Sequence, residues 1–371
     1  MMSLVVVAFV VIGATLSDGA LTNHTVAYCE KTMNSTCQRH IVITRSFVAM
    51  TARSIIAYVS IYLPFVSTTS TWWATVRTAP RERTQLRLHR PILSLVFFGA
   101  ITNGIDDRLR AVKAKNISVA DAKKVYTVQD HANKVYVRNP DCWAYDLDLT
   151  SISPWNSNLA NRKAGTLVSP RHALWARHYS IKLNSTIRFV DQNNNVVDRR
   201  VVKTQTVSGP SHSSFYGQDI VVGELDIDVP NTISFAKVMP RNLTSFRVPY
   251  STHIPAVSTD QEEKALVDDF YYYSSTNAGL HVPLTTSIRH DYYESKISGD
   301  SGNPTFFVID DQLALLFVFT TGGAGGGTSI NHYFDNINEI MAKEGGGYQL
   351  TEINLSKYLA KGESLPGIIG K

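Results

Sequence analysis

Hydrophobic and polar positions change texture along this chain. From Cys142 onward, apolar residues fall into short or alternating runs separated by turn formers, which predicts β-strands. Strands are expected at Thr166–Ser169, Ser180–Val190, Val196–Val207, Ile220–Leu225, Phe235–Val238, Pro304–Ile309 and Leu313–Thr320. The polar cluster Asp191-Gln192-Asn193-Asn194-Asn195 joins two of them as a hairpin, and Asp310-Asp311 joins another pair. Many short strands at this spacing predict an all-β sandwich or barrel. One helix is expected over Asn331–Ala342, where Ile330, Tyr333, Phe334, Ile337, Ile340 and Met341 recur at helical spacing before Gly345-Gly346-Gly347 ends it.

The first third reads differently. The apolar run Leu4–Ile12 has the length of a signal-peptide core and is too short to span a bilayer. Small residues follow it, with an expected cleavage after Gly19, although no Lys or Arg precedes it. Residues 1–20 are therefore expected to be a signal peptide, and the protein to be secreted or extracytoplasmic. Glycosylation sequons at Asn23, Asn34, Asn116, Asn184, Asn242 and Asn354 add little, because the motif is common by chance. Ile55–Val66 and Pro91–Ile101 also fall short of a membrane span and are expected to be core or interfacial segments. Between them, Arg77, Arg81, Arg83, Arg87, His89 and Arg90 predict a solvated basic loop, with a membrane surface or acidic partner as the alternative. Residues 106–138 are polar, with a short helix expected at Val119–Val125.

The expected organisation is a signal at 1–20, a region of unassigned role at 21–141, a β domain at 142–345 and a loosely packed tail at 346–371. The length of 371 residues accommodates such a domain and a sizeable core. Apolar residues at 44% and charged residues at 18% exclude wholesale disorder. Residues 1–150 carry 17 Lys/Arg against 10 Asp/Glu, and residues 151–371 carry 19 against 21. The acidic lean of the second part argues against a nucleic-acid module there. The three cysteines are Cys29, Cys37 and Cys142, so nothing beyond Cys142 can form a disulfide, a thiolate metal site or a Cys nucleophile. The 11 histidines show no HExxH spacing, and no cofactor is expected. The glycine-rich run 322–327 lacks the Lys-Ser/Thr of a phosphate loop.

The chemistry is concentrated in Gly299-Asp300-Ser301-Gly302-Asn303-Pro304. A serine hydroxyl is a weak nucleophile until a base takes its proton and donors receive the oxyanion. Flanking glycines let the backbone turn sharply and aim amides at one point, although the same residues also make ordinary turns. Upstream, Gly165-Thr166-Leu167-Val168-Ser169-Pro170 leads to Leu174-Trp175-Ala176-Arg177-His178, and Gln218-Asp219 precedes the apolar run Ile220–Leu225.

These three segments, in this order, resemble the trypsin/chymotrypsin-like serine proteases over roughly residues 142–345. The resemblance implies two six-stranded antiparallel β-barrels with a carboxy-terminal helix, and an endopeptidase acting on a protein or peptide substrate. It implies His178 as base, Asp219 as its orienting partner, Ser301 as nucleophile and the Gly299 and Ser301 amides as oxyanion hole, with Asp300 buried to hold the loop. His172 is the rival base, expected to be structural, and Asp226 and Asp228 are rivals expected in a solvated turn. By carry-over, Ser295 would floor the specificity pocket, with Lys296 beside it and Thr320, Gly322 and Gly323 along the cleft wall. A neutral, open pocket implies a large apolar side chain, and an inward Lys296 would instead favour an acidic one.

The chain departs from the family in three ways. The protease-like half has no disulfide, Asn303 replaces a glycine, and no activation sequence precedes Gly165, which leaves Asp300 to be held by another group. Two other readings stay open: a non-catalytic binding module on the same fold, and a membrane-associated structural protein led by the first third.

Overall fold

The computed structural model describes residues 46–51, 54–59, 74–75, 81–154, 163–208, 218–241, 253–272, 277–344 and 346–359. The expected signal at 1–20, Cys29, Cys37, Arg77, Pro64 and the sequons at Asn23, Asn34 and Asn242 lie outside them. The chain divides into two compact units, Met1–Ile92 and Leu93–Lys371. In the first, β1 (Ser46–Thr51), β2 (Ser54–Val59) and β3 (Ala74–Thr75) form an antiparallel sheet in that order. The front of the apolar run 55–66 is thus strand β2.

Two sheets dominate the second unit. The first is a curled five-stranded half-barrel in the order β6-β7-β10-β9-β8. Its strands are β6 (Thr166–Leu167), β7 (His172–Ala176), β8 (Thr186–Val190), β9 (Val196–Thr206) and β10 (Ile220–Leu225). Leu167, Trp175, Ile187, Phe189, Val201, Val221 and Leu225 fill its interior. The second is a mixed seven-stranded sheet in the order β11-β16-β15-β12-β13-β14-β17. It comprises β11 (Lys237–Val238), β12 (Ile254–Thr259), β13 (Ala265–Tyr272), β14 (Asn277–His281), β15 (Pro304–Ile309), β16 (Gln312–Val318) and β17 (Gly326–Thr328). Only the β11–β16 pair is parallel. Between β15 and β16, Asp310 and Asp311 both have positive φ (51° and 62°), as a tight two-residue hairpin turn requires. The carboxy-terminal helix runs Phe334–Glu344, with Ile337, Ile340 and Met341 buried, one turn later than the sequence pattern places it.

The organisation differs from expectation at both ends. Pro91–Ile101 and the basic residues from Arg81 to Arg90 belong to one helix, α1 (Arg81–Ala114), so the basic stretch is not a loop, and buried Phe97 and Ile101 put the apolar run in the core, one of its two expected settings. Its buried positions Phe97, Ile101, Ile105, Leu109 and Val112 step by four, four, four and three, the spacing of one helical stripe. Phe97 and Ile101 pack with Phe307 and Phe317, and Ile105, Leu109 and Val112 pack with Val308 and Leu313. After α1 come α2 (Val119–Lys123), capped by the Ser118 hydroxyl, and a hairpin of β4 (Tyr126–Asp130) and β5 (Val135–Arg138). Packing therefore shows no break at residue 142.

Residues 348–359 are equally integrated. Leu350, Ile353, Leu355 and Tyr358 are buried, and Val238 exchanges backbone hydrogen bonds with Thr351 and Ile353 at 2.9 Å each. No helix among the described residues is long and apolar enough to cross a membrane.

If α1 is part of this core, Leu109→Ala should cost about 3 kcal/mol of stability, as a fully buried leucine does when truncated. Urea unfolding of the variant beside the parent measures it. A loss below about 1 kcal/mol would show that the helix docks only loosely.

Candidate active site

Strand register brings the first two site residues together. β7 and β10 are antiparallel neighbours with Ala176 opposite Ile220. His178 lies just past the last residues of β7 and Asp219 just before the first residue of β10, so both emerge at the same edge. The Arg177 amide donates to the Asp219 carbonyl at 3.2 Å and extends the ladder. The Asp219 carboxylate then takes two bonds from one residue, from the His178 amide at 2.8 Å and from ring Nδ1 at 2.6 Å. A carboxylate can only accept, so Nδ1 carries the proton and Nε2 of a neutral ring is left as an acceptor. Ser301 Oγ lies 2.8 Å from that Nε2. Asp219 is buried, whereas the His178 side chain is 37% exposed, so the ring reaches from a desolvated partner toward solvent. From the second sheet, Thr328 Oγ1 accepts the Asp219 amide at 3.1 Å.

The Ser301 loop is folded around its own carboxylate. Asp300 is buried, and its oxygens accept the Ile297 amide at 2.7 Å and the Gln261 amide at 3.1 Å. Gly299 and Gly302 have φ of +108° and +90°, a region other residues avoid. A Cβ at Gly302 would also sit 2.9 Å from the Ala164 carbonyl. The Gly302 amide donates to Phe319 O and the Phe319 amide returns to Asn303 O, each at 2.9 Å, which fastens the loop to the end of β16. Asn303 is buried and used twice, accepting from Thr259 Oγ1 at 3.1 Å and donating to Asp300 O at 3.0 Å. Among the described residues, no acceptor takes the Gly299 or Ser301 amide. The two donors expected to meet an oxyanion are thus unengaged.

The rivals lie elsewhere. His172 is fully buried on β7, with Nδ1 2.9 Å from Ser169 Oγ, and burial pushes its pKa down to about 4. Asp226 accepts the Arg200 amide at 3.0 Å, and Asp228 pairs with Arg171 at 2.9 Å. Neither makes a hydrogen bond or ion pair with His178.

Of the expected cleft residues, Ser295 is exposed, with its hydroxyl 3.3 Å from Gly323 O, and Gly322 and Gly323 are exposed as well. Thr320 is buried, and its Oγ1 has no partner. Lys296 is buried and faces inward, but it is already neutralised. Its ammonium meets both Asp268 oxygens at 2.8 and 2.9 Å and Glu294 O at 3.2 Å, between the rings of Tyr293 and Phe319. All three ammonium hydrogens are committed, which removes the basis for attracting an acidic side chain.

Gln261 and Thr328 were not legible from the sequence. Gln261 reaches the site from the turn after β12 and Thr328 from the end of β17, and neither belongs to a motif. No group of three or more His, Cys, Asp or Glu side chains among the described residues is placed to hold a metal. No family model matches the chain, and no curated protein matches it. Interpretation of the site therefore rests on its geometry.

Two outcomes follow from this burial. Lys296→Ala leaves the Asp268 carboxylate uncompensated and should cost about 3–5 kcal/mol, read by chemical unfolding. Most of that loss should be absent in a Lys296→Met/Asp268→Leu double variant. The second concerns pH. His172 binds a proton near 6.5 when unfolded and near 4 when folded, so its contribution is complete above about pH 6.5 and is lost as pH falls toward 4. Buried Asp260, raised to about 6, acts in the opposite sense, so the test is a comparison of two chains. The stability advantage of the parent over His172→Gln should shrink between pH 7 and pH 4, and parallel pH profiles would refute it.

Proposed function

We propose that this protein is a serine endopeptidase of the trypsin/chymotrypsin-like kind. The observation that carries the reading is the continuous chain Asp219–His178–Ser301, with contacts of 2.6 and 2.8 Å between residues from three separate loops. Strand order supports the finer architecture of two six-stranded antiparallel barrels. Residues 151–153 bond to β6 through Ser153 N to Gly165 O and Leu167 N to Ser151 O, both 2.8 Å, a single bridge where a sixth strand of the first barrel would run. In the second, β12 pairs with both β13 and β15, and β14 pairs with β17. The Ile330 amide just past β17 donates to Leu316 O on β16 at 3.1 Å, which favours a closed ring.

In this reading Ser301 Oγ attacks the peptide carbonyl carbon while its proton passes to His178 Nε2. The carbonyl oxygen becomes an oxyanion and takes hydrogen bonds from the Gly299 and Ser301 amides. The C–N bond breaks, and Nε2–H gives its proton to the departing amine. Water, deprotonated by the same nitrogen, then releases the acyl group and restores Ser301. Asp219 stays ionised throughout and holds the ring. The exposed Ser295, Gly322 and Gly323, with the committed Lys296, favour an uncharged, apolar substrate side chain. The apolar run 4–12 fits a secretory route.

Fluorophosphonate labelling of the full-length chain tests this. The parent should label, and Ser301→Ala and His178→Ala should not. Turnover of a peptide substrate by Ser301→Ala should fall by a factor on the order of 10⁵–10⁶. A folded parent that never labels would sink the proposal in favour of a non-catalytic binding module.

A further inference from the structure

The loop bearing Ser301 has to keep the Gly299 and Ser301 amides aimed at one point, yet its backbone is costly to hold. Two glycines sit at positive φ, and a carboxylate is buried at its centre, 3% exposed. No cation pairs with Asp300 among the described residues. Its two acceptor bonds come from within the loop, by the Ile297 amide, and from outside it, by the Gln261 amide.

Gln261 lies in the turn between β12 and β13, closed by the Glu263 amide donating to Asp260 O at 3.0 Å. That turn is itself rigid. Asp260 accepts the Glu262 and Lys264 amides at 3.0 and 2.9 Å. Behind it, the Val125 amide donates to Glu263 O at 3.0 Å, and Lys264 bridges to Glu294 at 2.8 Å. The Gln261 side chain makes a second contact, Nε2 donating to Ser298 O at 3.3 Å. Its Oε1 also comes so close to Gly299 that a Cβ there would lie 2.3 Å away. The adjoining Thr259 hydroxyl holds Asn303 on the other side of Ser301. The β12–β13 turn thus grips the loop on both flanks of the nucleophile.

We propose that Gln261 is the positioning residue that keeps the oxyanion donors in place, and that the site is held by this internal amide and not by a newly freed amino terminus. The inference rests on the reading of Ser301 as nucleophile. Gln261 acts through Asp300 and Gly299 and does not itself meet the substrate.

The test uses the full-length chain and a fluorophosphonate probe, with the maximal labelling rate and the probe's half-saturating concentration measured separately. Gln261 occupies the second position of its turn, where proline is well tolerated, so Gln261→Pro deletes the amide hydrogen and leaves the turn. Gln261→Ala keeps that hydrogen and removes the side-chain contacts. Gln261→Pro should lower the maximal rate at least tenfold, with half-saturation within threefold. Gln261→Ala should lower it about three- to tenfold. Acetylating the parent's amino terminus should leave labelling intact.

A Gln261→Pro rate within twofold of the parent would overturn the inference, as would parent labelling that appears only after the chain is trimmed. Should Gln261→Pro fail to fold, Gln261→Ala decides, and a rate within twofold of the parent again overturns it. In each of these cases the parent labels at Ser301 and the protease reading survives. A folded parent that labels neither intact nor trimmed removes both.

Discussion

The geometry of the site depends on one buried carboxylate that is fully occupied. Asp219 takes the His178 backbone amide and the His178 ring with its two oxygens, while its own amide is received by Thr328. A carboxylate withdrawn from water without partners would be expensive, and these donors offset that cost only in one arrangement. The arrangement fixes the loop after β7, the start of β10 and the tautomer of the imidazole together. The bond from Nδ1 is the one that holds the ring toward Ser301.

The same device recurs in three further loops of the described chain, none of them held by a disulfide. Cys142, the one cysteine among the described residues, is free and buried. Buried carboxylates collect backbone amides instead: Asp191 takes those of Asn193 and Asn195, Asp260 those of Glu262 and Lys264, and Asp300 those of Ile297 and Gln261. Two buried ion-pair sites do comparable work between elements. Lys296 joins the segment before Ser301 to Asp268 on β13, and Arg289 joins Asp106 of α1 to Asp269. Charge-assisted bonds are directional, so they can specify loop shape where apolar packing alone would leave several options.

The strands nearest the site were legible because each is short, apolar and bounded by turn formers, as at 220–225, 304–309 and 312–318. Strands β12, β13 and β14 carry polar and charged residues inward, including Ser258, Asp268 and Asp269, and so showed no clean alternation. Helix α1 was hidden for a related reason. Its apolar stripe is one residue per turn from Phe97 to Val112, set among charged positions and preceded by Arg-rich sequence and Pro91. A window tuned to continuous apolar runs sees only its middle. The tail after Gly347 looked loose because its four buried residues are isolated in sequence, although each enters a core or a ladder.

What the sequence determined by itself is local: which segments can be strands, where glycines permit positive φ around Ser301, and which His, Asp and Ser stand in short patterns that mark them as a candidate set. The order of His178, Asp219 and Ser301 was readable because each residue is embedded in a short pattern of its own. Tertiary structure alone decided which carboxylate meets which imidazole, that His172 is sealed in a core, and that Lys296 is spent on Asp268. It also decided that an amide from the β12–β13 turn holds Asp300. These are contacts between residues about 30 to 125 positions apart, and no local pattern encodes them. They exist because burying a polar group demands a partner, and only the folded chain brings that partner within hydrogen-bonding distance.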